Sequence, residues 1–409
     1  MSETTTEQRS IPFSPPDITD AEVQAVGEAL RSGWITTGPS TKRFEQNLRT
    51  FMDAQGVAAF ASSTHAAENC LRALGIGPGD EVIVPAYTYT ASASVICHVG
   101  ATPVMVDVLP GTYELDYDAV GRAITARTKA VVPVDLGGVM CDYDRLYAVL
   151  DDKRALWHPA PGIQSCFDRV IVVADAAHAC GATYKGHPAG SVADFTSFSF
   201  HAVKNLTTGE GGALAWRDHG FDSDEFYHQL MLWSLHGQDK DALAKSKAGA
   251  WEYDVVFPGY KSNMTDIAAA IGLVQLERYP GLLARRRQLV ERYERNLADA
   301  PVQLIRHYGE RGNSSGHLML TRIDGADHDQ RNAVIEALAA QGVATNVHYK
   351  PLPLLTAYRT LGFKMEDYPQ AYAQFQNEVT LPLHTLLSDE DVDYVCAAYR
   401  TAIAQVMGR

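Results

Sequence analysis

The chain has 409 residues, of which 46% are hydrophobic and 21% charged, and it carries a formal net charge of −14. This length and composition predict a soluble α/β protein with a core large enough for two domains. The acidic net charge argues against broad binding to nucleic acid or to anionic membranes, and no segment is apolar enough to span a bilayer.

The six cysteines are scattered along the chain and form neither a C-x-x-C pair nor a zinc-ligand spacing. They indicate buried, reduced thiols in a cytoplasmic protein rather than a disulfide framework or a metal site. The first ten residues are polar and lack the apolar region of a secretion signal, so we expect a flexible tail there.

The N-terminal part predicts two helices joined by a polar loop. The first helix should run from about Asp20 to Leu30, with Asp17 or Thr19 as its cap. The loop from Ser32 to Glu45 then leads into a helix that contains Phe51. Its polar residues are typical of a structural connection at the protein surface.

A hydroxyl-rich turn follows the first predicted strand, Val57 to Ala61. Ser62, Ser63 and Thr64 form this turn, and a helical pattern continues from it through Leu71. Free backbone N–H groups and the helix dipole favour an anion such as phosphate at this position. An ordinary helix cap without a ligand is the alternative interpretation.

Strand and helix patterns alternate through the next part of the chain. They comprise strands at Glu81–Val84, Gly100–Val108 and Lys129–Gly138, and helices at Asp116–Ile124 and Tyr143–Leu150. This alternation predicts a parallel sheet with right-handed crossovers.

Two tyrosines, Tyr87 and Tyr89, follow the strand that ends before Pro85. An aromatic ring after a strand is normally part of the core or its rim. If a planar ligand binds there, one of the two rings could instead stack on its face.

Asp175 stands at the carboxyl end of a predicted buried strand, Val170 to Val173. In open α/β sheets, ligands bind beyond the carboxyl ends of the strands, and a carboxylate buried there requires a partner. The alternatives are a helix-capping role for this aspartate and a core position for the nearby His178.

Lys204 follows a short β-type run, Phe195 to Phe200, and precedes a segment of small and hydroxyl residues. These surroundings do not suit an exposed, salt-bridging lysine. A desolvated lysine has a lowered pKa and can form a Schiff base with a carbonyl compound. Ser199 could bind a phosphate, and Gly209 to Gly212 could form a turn close to a ligand.

The composition changes after a long helical pattern from Ile267 to Leu297, on which Arg285 to Arg287 are predicted to face solvent. The remaining chain predicts a smaller α+β domain. Its expected strands are His317–Asp324 and Val343–Tyr349. Its expected helices are Gln330–Gln341 and Asp389–Val406, the second capped by Ser388.

The segment S-F-H-x-x-K-N-L-T-T-G-E-G-G, which begins at Ser199, resembles the cofactor-lysine segment of the DegT/DnrJ/EryC1/StrS aminotransferases. The resemblance extends from about Pro12 to Ile403, except for an apparent insertion at Asp151–Asp168. It implies the fold-type I architecture of enzymes that depend on pyridoxal 5′-phosphate (PLP). We therefore expect a large domain, 12–280, with a mostly parallel seven-stranded sheet, and a smaller α+β domain, 281–409.

The resemblance also implies roles for individual residues. Lys204 would bind PLP and act with Asp175 in catalysis, Asp175 holding the pyridine nitrogen protonated. The other implied cofactor contacts are Ser63, Thr64, Tyr89, His178, Ser199 and, from the partner subunit of a homodimer, Asn263. Those implied for the substrate are Thr36, Thr37, His348 and Tyr349. The chain departs from the family pattern at Ser63, where glycine is frequent, and at Asp135, where histidine is common.

The implied activity is transfer of an amino group from L-glutamate to a nucleotide-diphosphate 4-keto-6-deoxyhexose, giving a 4-amino-4,6-dideoxy sugar nucleotide. A 3-keto sugar or a cyclitol ketone are alternative acceptors, and Ser32–Thr41 and Trp233–Lys247 are the loops expected to select among them. Related PLP-dependent 3-dehydratases carry histidine in place of Lys204, which disfavours that activity. A non-catalytic PLP-binding regulator is the remaining alternative, although the chain has no appended DNA-binding motif.

Overall fold

The structure, a computed structural model, describes residues 9–240 and 252–408. Most of the predicted N-terminal tail and positions 241–247 of the predicted acceptor loop therefore lie outside the described residues. Among the described helices, none combines the length and the apolar character that crossing a bilayer would need.

Helices and strands alternate from Gly56 to Asp175, as the sequence predicts. Helices α1 to α7 are Asp20–Arg31, Pro39–Met52, Ser63–Ala73, Thr90–His98, Tyr117–Ala123, Tyr143–Asp152 and Ser223–Ser234. Strands β1 to β9 are Gly56–Phe60, Glu81–Pro85, Thr102–Val106, Thr128–Val131, Ile171–Asp175, Thr183–Tyr184, His187–Pro188, Phe195–Ser199 and Gly212–Trp216.

A seven-stranded sheet forms the centre of this part, in the order β1-β9-β8-β5-β4-β2-β3. Only β9 runs against its neighbours, β8 and β1, and the other pairings are parallel. All residues of β1, β2, β4 and β9 are buried, because both faces of the sheet are covered. The predicted fold class is thereby confirmed.

The second part begins with a long helix, α8, at Asp266–Asn296. Its further strands β10 to β14 are Val302–Leu304, Tyr308–Gly309, Gly312–Asn313, Met319–Ile323 and Glu378–Leu381. Helices α9 to α12 are His328–Ala340, Thr356–Thr360, Pro369–Phe375 and Asp389–Met407. Strands β10, β13 and β14 form an antiparallel sheet, and Ser388 caps α12 as predicted.

The buried apolar residues form two clusters, one around each of these sheets. Helix α8 contributes to both, with Tyr279 in the first cluster and Leu289 and Tyr293 in the second. The predicted domain boundary at residue 280 falls inside this helix and stays a prediction.

The predicted strand from Val343 to Tyr349 is absent. This segment makes only isolated bridges, between Val343 and Ile11 and between Asn346 and Thr380. The backbone pairing does not continue beyond Asn346, because the N–H group of His348 donates to the side chain of Glu378, at Oε2, over 2.8 Å. The segment therefore leaves the sheet beside β14.

Arg286, predicted to face solvent, is buried instead. Its guanidinium donates hydrogen bonds to the carbonyl groups of Gly316, at 3.1 Å, and Leu383, at 3.0 Å. Backbone carbonyl groups thus accept hydrogen bonds from a buried guanidinium that the helical pattern alone predicts to lie at the surface.

Candidate active site

A cavity of about 540 Å³ opens at the carboxyl ends of the parallel strands. Its wall combines the N-terminus of α3, the ends of β5 and β8, the loop between β8 and β9, and the segment at 346–349. The predicted site residues that line it are Ser63, Thr64, Tyr89, Asp175, His178, Ser199, Lys204, His348 and Tyr349. The tertiary fold therefore brings most of the predicted residues together.

Lys204 lies in the turn after β8, where its N–H group donates to the carbonyl of His201 at 2.9 Å. Burial lowers the pKa of its amine to about 8, although the negative charge of Asp175 acts in the opposite direction. Within the described residues, the amine has neither a hydrogen bond nor an ion pair. Lys204 is therefore a lysine whose neutral, nucleophilic form is accessible near neutral pH.

Asp175 is held in one orientation at the end of β5. Its Oδ2 atom accepts a hydrogen bond from Ser92 Oγ at 2.6 Å, and its Oδ1 atom accepts one from the N–H of Ala177 at 3.1 Å. Ser92 also bonds to Thr88 Oγ1 at 2.8 Å; because the Ser92 hydroxyl donates to Asp175, it accepts from Thr88. This chain of hydroxyls fixes a carboxylate at the cavity wall.

The N-terminus of α3 lies at the cavity wall, at the turn for which the sequence predicts an anion site. Ser62 is the helix cap and accepts from the N–H of His65 at 3.2 Å. Ser63 and Thr64 occupy the first turn, where backbone N–H groups and the helix dipole favour a negative charge. Ser199, the last residue of β8, lines the same cavity.

His178 and Tyr349 form a directed hydrogen-bonded pair. Burial holds the pKa of His178 well below its usual range, so the ring is neutral. Its Nδ1 atom accepts from the N–H of Gly137 at 3.2 Å, which leaves the hydrogen on Nε2. The Nε2 atom lies 3.1 Å from the Tyr349 hydroxyl oxygen and donates to it, so the hydroxyl can donate its own hydrogen into the cavity.

Thr36, Thr37 and Asn263 do not line this cavity. The Asn263 amide donates to Thr37 Oγ1, and the Thr37 hydroxyl donates to the carbonyl of Met264 at 2.5 Å. The carbonyl of Thr36 accepts from the N–H of Asp266 at 3.0 Å. These residues form their own cluster beside the start of α8, and the predicted role of Asn263 in a partner's site stays a prediction.

The comparisons with known proteins agree with this geometry. The model of the DegT/DnrJ/EryC1/StrS aminotransferase family matches residues 16–400. The chain belongs to this family. It is 38% identical to the spore coat polysaccharide biosynthesis protein SpsC of Bacillus subtilis over 96% of this chain and 97% of that protein.

Solved structures extend the match to three dimensions. The sugar aminotransferase Spr1654 from Streptococcus pneumoniae, in its PMP form, is 56% identical, with a TM-score of 0.95 over 97% of this chain and 100% of its own. Its PLP form is 54% identical, with a TM-score of 0.94. Helicobacter pylori PseC, an aminotransferase of pseudoaminic acid biosynthesis, is 25% identical, with a TM-score of 0.84. This DegT-family protein is accordingly a PLP-dependent sugar aminotransferase.

The residues of the cavity fit PLP. Lys204 would supply an amine for the aldehyde, Asp175 a carboxylate for the pyridine nitrogen, and the α3 N-terminus a cradle for the phosphate. The position of this helix N-terminus also explains why residue 212 is a glycine, because a Cβ atom at Gly212 would lie 2.2 Å from the backbone nitrogen of Ser63. Among the described residues no cluster suits a metal ion.

Two residues, one behind the cavity wall and one lining it, make contacts that the sequence does not reveal. Ser92 orients Asp175, but its hydroxyl lies in a run of small residues that carries no motif. Asp135 lines the cavity and bonds to the Tyr143 hydroxyl at 3.0 Å. Burial raises the pKa of Asp135 to about 7. In the sequence, the only sign that this position is unusual is that the family commonly has histidine where this chain has Asp135.

Proposed function

We propose that this aminotransferase moves an amino group from L-glutamate to a nucleotide-diphosphate 4-keto-6-deoxyhexose by a ping-pong mechanism. The product is a 4-amino-4,6-dideoxy sugar nucleotide. The observation that carries the proposal is the convergence of Lys204, Asp175 and the anion-binding turn at Ser63 and Thr64 in one cavity. The names of SpsC and PseC support a glycan sugar as the acceptor.

PLP, when bound, supplies an electron sink that stabilises negative charge on the substrate carbon. The amine of Lys204 takes a proton from that carbon and returns it to the cofactor side, which requires a neutral amine. The Asp175 carboxylate, oriented by Ser92, keeps a proton on the pyridine nitrogen. Lys204 therefore acts by moving a proton, and Asp175 acts by keeping a proton in place.

The remaining cofactor contacts hold and orient PLP. Ser63, Thr64 and Ser199 bind the phosphate, and the Tyr89 ring packs against the pyridine face. In the His178 and Tyr349 pair, the Tyr349 hydroxyl, oriented by His178, supplies a hydrogen-bond donor for the ring hydroxyl of PLP. On the substrate side we assign His348 and Tyr349 together with Thr36 and Thr37. Because Thr37 is hydrogen-bonded to Asn263, we place the two threonines with Asn263 at the cavity of the partner subunit.

We also propose a homodimer in which each cavity receives Asn263 of the partner subunit. Asn263 does not line the cavity of its own chain, which supports a role elsewhere. The segment beside it exposes large apolar side chains, including Tyr253, Val256 and Tyr260, at 47%, 60% and 47% exposure. Apolar patches of this kind mark interaction surfaces. All six cysteines are free thiols, which supports a cytoplasmic location.

The test is an absorbance spectrum of the PLP-loaded enzyme before and after addition of L-glutamate. We expect the visible absorbance of bound PLP to give way to that of the amine form. Keto sugar nucleotides are then screened for reversal of the change, with 4-keto hexoses expected to act, and 3-keto sugars and cyclitol ketones as competitors. Absorbance that glutamate leaves unchanged would contradict the proposed donor. If only a 3-keto sugar or a cyclitol ketone reversed the absorbance change, that result would contradict the proposed 4-keto acceptor.

A further inference from the structure

Glu378, the first residue of β14, is a fully buried carboxyl that the proposed chemistry does not use. Its Oε2 atom accepts from the N–H of His348 at 2.8 Å. Its Oε1 atom bonds to the Thr380 hydroxyl at 2.6 Å. His348 lines the cavity and Thr380 contacts His348, so both partners connect Glu378 to the cavity.

The Thr380 hydroxyl connects Glu378 to the imidazole of His348. Thr380 Oγ1 lies 2.9 Å from His348 Nδ1, and His348 lines the cavity. The ring stacks on Phe13, with centroids 5.7 Å apart, and the Tyr87 hydroxyl donates to the His348 carbonyl at 2.8 Å. No residue of the described chain bonds to His348 Nε2, so that nitrogen is left for a ligand.

The direction of this chain depends on one proton. When Glu378 is ionised, Thr380 donates to Oε1 and must accept from His348 Nδ1–H, so Nε2 is an acceptor. When Glu378 is protonated, Oε1 donates to Thr380, which then donates to Nδ1. His348 must then carry its hydrogen on Nε2, which becomes a donor.

The surrounding charges allow both states near neutral pH. Burial raises the pKa of Glu378 to about 8, opposed by its hydrogen bonds to Thr380 and His348 and by the Arg331 guanidinium. Burial and the charge of Lys204 lower the pKa of His348 to about 3, so its ring stays neutral. The other titratable groups that interact with Glu378 or His348 are Tyr87, Tyr113, Tyr349, Tyr399, His178 and His317.

We infer that Glu378 is a positioning residue that sets, through the Thr380 hydroxyl, which ring nitrogen of His348 carries the hydrogen. It thereby decides whether the imidazole donates or accepts a hydrogen bond in the cavity. The consequence for sugar recognition rests on the proposed function, because a keto oxygen requires a donor while a sugar hydroxyl can meet either form. The state of the ring itself does not depend on the substrate.

The test is ¹⁵N NMR of the PLP-loaded enzyme labelled at histidine, with the His348 signal identified by its loss in His348→Gln. In the wild type, we expect the hydrogen to move from Nε2 to Nδ1 as the pH rises through about 8. In Glu378→Gln the amide nitrogen always donates to Thr380, so the hydrogen should stay on Nε2 throughout. Glu45→Gln, a change at another buried carboxyl, should keep the wild-type transition.

Thr380→Val provides an independent test, because it removes the connecting hydroxyl while Glu378 remains. We expect the position of the hydrogen on His348 to become independent of pH. A wild-type ring that does not change through this pH range would overturn the inference, as would a transition that persists in Glu378→Gln or Thr380→Val.

Kinetics separate this inference from the proposed function. Above the pKa of Glu378, Glu378→Gln should change the KM of the sugar acceptor about tenfold and leave the glutamate half-reaction unaltered. An equal loss in both half-reactions would indicate a purely structural role and contradict a positioning role. Failure of glutamate or of every keto sugar to react would refute the proposed function and leave the NMR result valid.

Discussion

Lys204 and Asp175 show how single side chains acquire chemistry from their surroundings. The lysine is desolvated, which lowers the pKa of its amine, and the aspartate is fixed by Ser92 and Ala177. Both residue types were recognisable in the sequence by their neighbours. The serine that orients the aspartate was not, because its contact crosses from α4 to the end of β5.

The protonation of Lys204 predicts how the apoenzyme takes up PLP. The neutral amine reacts with the aldehyde, and it predominates only above the pKa of about 8. The rate of PLP uptake should therefore fall about tenfold for each pH unit below that value. Stopped-flow absorbance measures the rate, and Lys204→Ala is the control that should lose the slow covalent phase. A rate that is flat between neutral pH and pH 9 would contradict a lowered amine pKa.

At the scale of elements, the ends of helices depend on contacts between segments that are distant in the chain. Thr265 caps α8, whereas the adjacent Asp266 accepts from the N–H groups of Gly38, at 2.8 Å, and Thr41, at 2.9 Å. Asp266 thus caps the start of α2. Only the fold shows that these two adjacent side chains cap different helices.

The contact between β9 and α3 predicts the effect of Gly212→Ala. A Cβ atom there would lie 2.2 Å from Ser63 N and 2.3 Å from the carbonyl carbon of Ser62, so the helix N-terminus must shift. We expect a loss of stability of about 1–3 kcal/mol and weaker PLP binding. Thermal unfolding with and without PLP measures both effects.

Gly281→Ala is the matched control for that substitution. Gly281 lies within α8, and no atom stands within 4 Å of a Cβ built there. Alanine should therefore stabilise the helix by up to about 1 kcal/mol without affecting PLP binding. Unchanged PLP affinity in Gly212→Ala would show that the α3 N-terminus tolerates displacement and does not hold the phosphate.

At the scale of the whole molecule, one cavity draws on both parts of the chain. The part before α8 supplies Asp175 and Lys204, while the part after α8 supplies His348 and Tyr349. Helix α8 packs into both apolar clusters and therefore ties the two parts together. If the dimer proposal is correct, a third contribution comes from the partner subunit.

Mixing two defective variants tests whether the site is shared. Lys204→Ala and Asn263→Ala should each have low activity as homodimers. In a mixed dimer, one site combines an intact lysine with an intact asparagine, so a statistical mixture should recover about one quarter of wild-type activity. Light scattering provides the subunit count. An inactive mixture that contains verified mixed dimers would contradict the shared site.

The sequence by itself predicted the fold class, through its resemblance to a known family, and most of the residues that line the cavity, Lys204 among them. It could do so because the motif that carries the resemblance is a local run of residues, and the alternating strand and helix patterns, which are consistent with that fold, also depend on neighbours in the chain. Only the tertiary structure decided that Arg286 is buried, that the Val343–Tyr349 segment leaves its sheet, and that Glu378 reaches His348 through Thr380. Each of these depends on a partner far away in sequence, and local patterns do not report which side chains meet after folding.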